Sequence, residues 1–65
     1  MSDLAKLHDM ALEHENDIDA SVDTIRNYRI KMMDKRNAEI LKNIIPVLDI
    51  LSYEIGQYKE WLEGI

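Results

Sequence analysis

The chain predicts an all-α fold, an antiparallel helical hairpin of two long helices over about residues 3–36 and 38–63, dimerising into a four-helix bundle. Three observations lead there. From Leu41 onward, apolar side chains recur at alternating steps of three and four: Leu41, Ile44, Leu48, Leu51, Ile55, Tyr58, Leu62 and Ile65. That is a heptad seam, which needs another helix to cover it. The first half carries a weaker seam of the same period: Leu4, Leu7, Ala11, His14, Ile18, Ser21, Ile25, Tyr28 and Met32. The third observation is size. Sixty-five residues make one domain, residues 1–65, and it holds no cysteine. Below roughly 70–80 residues a core seldom supplies more than about 3–5 kcal/mol, so small folds recruit disulfides, a metal or a partner. With disulfides and the common zinc sites removed, association is the remaining device. Ile25, Tyr28 and Met32, with Leu41 to Leu62 of the second seam, are the expected self-association surface.

The first helix has Ser2 or Asp3 available as a cap, and Asp3 and Asp9 near its positive end. Asn16, Asp17, Asp19, Ser21, Asp23 and Thr24 are mediocre helix formers. They open an alternative of three short helices, with breaks near 16–19 and 43. Against the first break, the seam keeps its register through Ile18 and Ile25 with no Gly or Pro. The two seams are out of register by two residues, so the chain must reverse between them. Asp34-Lys35-Arg36-Asn37 is the expected place, because Asn tolerates the left-handed conformation and also caps helices. A start at Asn43 would put Pro46 in a first turn, where no intrahelical donor is lost. Gly64 is the expected C-cap. Gly56 falls inside the second helix, either to allow close helix approach or as a neutral surface position.

Charge is segregated along the chain. The net charge is −5. Residues 1–23 set seven acids against Lys6, residues 24–42 set six bases against Asp34 and Glu39, and the remainder sets four acids against Lys59. An acid–base–acid layout favours antiparallel pairing of unlike segments. Two classes of partner follow: a second copy of this chain, and a larger protein. For the latter the candidate surface is Tyr53, Trp61 and Ile50, with the acidic Glu13, Glu15, Asp17 and Asp19. Tyr and Trp are suitable anchors, being large with a polar tip. The competing class is an oligomeric nucleic-acid binder using the basic segment 26–36, with Arg26, Arg29, Lys31, Lys35 and Arg36 as phosphate contacts. Helical spacing divides those bases between two sides, and the acidic segments repel a polyanion. A bundle holding a small ligand between subunits is a third class.

The chain offers little chemistry. The acidic run from Glu13 to Asp19 fails the calcium-loop pattern, since frames starting at Asp17 or Glu15 place Val22 or Ala20 where glycine is needed. His8 and His14 are six apart, not the three or four of a helical metal pair. No serine sits in a nucleophile turn, and two glycines cannot build a phosphate loop. No catalytic residue, metal or cofactor is therefore expected, and the protein is read as non-enzymatic. The richest apolar run, Ile44 to Leu51, contains Pro46 and Asp49 and is too short to span a membrane. The segment from Met1 to Leu4 lacks the basic start and apolar stretch of a secretory signal, so a cytoplasmic regulator, adaptor or inhibitor is expected.

Overall fold

The computed structural model describes residues 2–65, the side chain of Ser2 excepted, so Ser2 as a cap lies outside the described residues. The chain is all-helical, with two α-helices: α1 runs Ser2–Lys35 and α2 runs Ile44–Glu63, joined through a short 3₁₀ helix at Ala38–Asn43. α1 is unbroken through residues 16–19, so the three-helix alternative does not apply there. The seam explains why. Ile18, Ser21, Val22 and Ile25 are among the least exposed residues of α1, and tertiary cover outweighs the few tenths of a kcal/mol that each weak helix former costs.

The reversal falls where the sequence places it, but on a different residue. Arg36, not Asn37, adopts the left-handed conformation, with φ 50°. The Asn37 amide donates to the Met32 carbonyl at 3.2 Å and the Arg36 amide to the Met33 carbonyl at 3.3 Å. This is the paired hydrogen-bond arrangement of a Schellman motif, which satisfies two of the four carbonyls left free at the end of α1. Asn37 then turns extended (φ −131°, ψ 103°) and its side chain accepts from the Glu39 amide, capping the 3₁₀ segment. The switch to α-helical bonding at Ile44 leaves Pro46 in the first turn of α2. Its missing N–H is one of the donors that a helix start leaves free anyway, so the proline neither breaks nor kinks α2. Gly64 caps α2 in a right-handed conformation (φ −86°). A Cβ at Gly56 would meet nothing within 4 Å, which settles it as a surface position.

α2 lies alongside α1 in the opposite sense, since Ser21 meets Glu54 while the earlier His14 meets the later Tyr58 and Trp61. The Cα envelope measures 52 × 18 × 9 Å, a single layer two helices wide. A folded chain of 7.6 kDa ordinarily has a radius of gyration of about 11 Å and exposes about 4,300 Å². Here the radius is 15.6 Å and the exposed area 5342 Å². Among the described residues no apolar side chain is buried, and the sole buried residue is Ser21, 8% exposed.

Two substitutions test this backbone reading. Gly56→Ala replaces an exposed mid-helix glycine and is expected to stabilise the fold by about 0.5–1 kcal/mol. Arg36→Gly removes the Cβ penalty at a left-handed position, which is roughly 1–2 kcal/mol before the added chain entropy of glycine is subtracted. Both should raise the thermal midpoint, read by circular dichroism; a fall for Arg36→Gly would contradict the left-handed turn.

Candidate protein-interaction surface

The line of contact between the helices is built from two rows on each. On α1 the half-buried residues are Leu7, Ala11, His14, Ile18, Val22, Ile25, Tyr28 and Met32, with Ser21 buried among them. That is the N-terminal seam read from the sequence with Val22 added and without Leu4, which stays exposed. On α2 and the 3₁₀ segment the half-buried residues are Ile40, Ile44, Val47, Leu51, Glu54, Tyr58 and Trp61. The seam shares only Ile44, Leu51 and Tyr58 with that set. Its other row, Leu41, Leu48, Ile55 and Leu62, remains 39, 50, 50 and 49% exposed. The physical reason is width. The apolar stripe of α2 is three rows across, whereas one neighbouring helix covers two. α1 takes the Ile44 row and the Ile40–Trp61 row, and the Leu41–Leu62 row is left on the far flank, about half exposed.

Two polar features interrupt the covered seam. At mid-length the Ser21 hydroxyl donates to a Glu54 carboxylate oxygen, and this is where cover is greatest. Such a pair adds little net stability but strongly disfavours any register that leaves the carboxylate without its donor. Glu54 is the site residue that the sequence reading missed. The signal was present, since Ile40, Val47 and Trp61 form a row with a gap at position 54.

Toward the C-terminus of α2 the seam becomes aromatic. The His14 ring stacks on Tyr58 with centroids 5.2 Å apart and planes 6° from parallel, and it meets Trp61 at 5.3 Å, tilted by 37°. Tyr58 and Trp61 are 6.1 Å apart. The Tyr58 hydroxyl donates to a Glu15 carboxylate oxygen at 3.2 Å. Partial burial, then the hydrogen bond and charge of Glu15, push the Tyr58 phenol above its ordinary value of 10.0. Trp61 thus packs within the layer, and a shallow recess of about 300 Å³ lies beside it, lined by His14, Gln57, Glu60 and Trp61.

The remaining candidates are spread over the surface. Tyr53 and Ile50 are exposed, at 67 and 54%. Glu13, Glu15, Asp17 and Asp19 are exposed along α1, where Glu15 and Asp19 border an open recess of about 420 Å³ with Leu12, Asn16 and Ile18. Arg26 pairs with Asp23 at 3.6 Å, and Lys42 with Glu39 at 3.0 Å. Both are exposed pairs within one turn, worth a few tenths of a kcal/mol at most. Arg29, Lys31, Lys35 and Arg36 are exposed near the chain reversal. Among the described residues no helix is long and apolar enough to cross a membrane.

A phenol held above its ordinary value stabilises the fold below that value and loses the contribution as pH rises through the folded-state value. A variant carrying Tyr28→Phe and Tyr53→Phe leaves one phenol, and ultraviolet absorbance should show it ionising above pH 10.0 with a parallel loss of stability. Adding Glu15→Gln should move the midpoint down but not fully back, because burial is the larger cause. Compared with known proteins, the chain matches no family, no curated protein and no solved structure.

Proposed function

We propose that this chain is a non-enzymatic protein–protein interaction module: a helical hairpin that self-associates into a dimeric four-helix bundle in the cytoplasm. On this reading it acts as a regulator, adaptor or inhibitor by contact with a larger protein. The observation that carries the reading is the row Leu41, Leu48, Ile55 and Leu62, apolar at every seventh position and about half exposed. Large apolar patches on small proteins mark interaction sites. The exposed area exceeds that of a globular chain of this mass by roughly 1,000 Å², more than the roughly 800 Å² that each partner contributes to a standard interface. Self-association uses this row and leaves Tyr53 and the acidic residues Glu13, Asp17 and Asp19 on the outside for the larger partner. The two recesses are shallow and open, which suits contact with a surface rather than the enclosure of a substrate.

The test is solution mass by size exclusion with light scattering over a hundredfold concentration range, where a dimer is expected throughout. Leu48→Asp should abolish association by placing an unpaired charge in the apolar row. Leu51→Asp should cost the fold as well, because Leu51 lies in the line of contact with α1. Tyr53→Ala should leave both mass and melting unchanged. A wild-type monomer at all concentrations would overturn self-association and leave the row for a different protein. A gel shift on duplex DNA at low salt, where phosphate contacts are strongest, would instead favour the basic segment 26–36 as the functional surface.

A further inference from the structure

We propose that the Leu41–Leu62 row is covered by a second copy of this chain laid antiparallel, with α2 against α2. Leu48 of one copy then lies beside Ile55 of the other, and Leu62 of each reaches toward the 3₁₀ segment of the other, which carries Leu41. The inference rests on the self-associating reading above and specifies its geometry.

Charge along the length selects the orientation. Because Ser21 meets Glu54, a plane across the molecule near residues 23 and 51 divides it into two ends. The end holding the chain reversal, residues 24–50, has six basic and three acidic residues, a net charge of +3. The open end, residues 1–23 with 51–65, has ten acidic and two basic residues, a net charge of −8. Each protomer is therefore strongly bipolar. Stacking two copies in the same sense sets −8 against −8 and +3 against +3; reversing one sets each positive end against a negative end. Packed helix layers lie about 8–10 Å apart, close to the screening length of physiological salt, so the difference is felt across the interface.

The row is also self-complementary. Its members are spaced seven apart and symmetric about a point beside Ser52, so a two-fold axis there superposes the row on itself, as an isologous dimer requires. The opposite flank of α2 cannot serve in the same way, since Asn43, Ile50 and Gln57 give it one apolar residue in three.

The chain has no cysteine, so introduced thiols are unique. Ile45, Ser52 and Lys59 are exposed and lie seven apart along the edge of the row. Ser52→Cys, treated with a short bismaleimide, should link to itself wherever this face is the interface. A mixture of Ile45→Cys and Lys59→Cys proteins should give the crossed 45–59 product, with neither variant linking to itself. Self-linked 45–45 and 59–59 products without the crossed one would establish a parallel pair and overturn the proposal. A dimer mass without a Ser52→Cys link would place the interface elsewhere and overturn it too, while leaving self-association standing. A monomer mass would remove both readings. Association of the unmodified chain should weaken as salt rises toward 1 M; strengthening would show that like ends are stacked.

Discussion

A single layer of two helices cannot enclose a large side chain, and most of this structure follows from that constraint. Each helix touches one neighbour along one line, so every residue in the line keeps part of its surface in water. The result is a fold with continuous helical hydrogen bonding but no buried apolar residue among those described. Its secondary structure is settled well before its tertiary structure is complete. On the self-associating reading proposed above, the missing layer is supplied by a second copy.

The polar groups in the seam acquire their meaning from the same constraint. An all-apolar line of contact would let α2 slide along α1 by a heptad with little penalty, since Leu, Ile and Val present similar surfaces. The Ser21–Glu54 hydrogen bond and the ordered stack of His14, Tyr58 and Trp61 make only one alignment satisfactory. Specificity thus comes from a few heterogeneous contacts in an otherwise interchangeable seam.

Much of the fold was legible in the residues, for reasons that can be named. Seam periodicity located α1 and kept it whole through its weak helix formers. The second helix, expected over about 38–63, instead opens as a 3₁₀ segment at Ala38–Asn43. α2 starts only at Ile44, which matches the alternative start at Asn43 beside Pro46. Two details were not legible. The left-handed residue is Arg36 although Asn37 has the better intrinsic tolerance, because Asn37 is engaged as the cap of the next segment. On α2, three adjacent rows are almost equally apolar. Periodicity identifies rows, but the choice of which two face α1 depends on the rotation of one helix about its axis, which no local pattern encodes. Glu54 was overlooked for the same reason, as the one charge in an apolar row whose facing no local pattern fixes. The acidic and tyrosine candidates keep their exposure, but the structure does not gather them into one place.

The left-handed turn at Arg36 also bears on how the chain could misassemble. Two-helix proteins commonly domain-swap by straightening the turn into one long helix whose halves pair with another copy. Extending the α1 seam past Met32 at its own period leads to positions 35, 39, 42 and 46, where Lys35, Glu39, Lys42 and Pro46 stand. A straightened chain would thus carry charges and a proline where its apolar stripe should continue, with the α2 stripe rotated to another side. The closed form is protected against swapping by the mismatch between its two halves, independently of how strong the turn itself is.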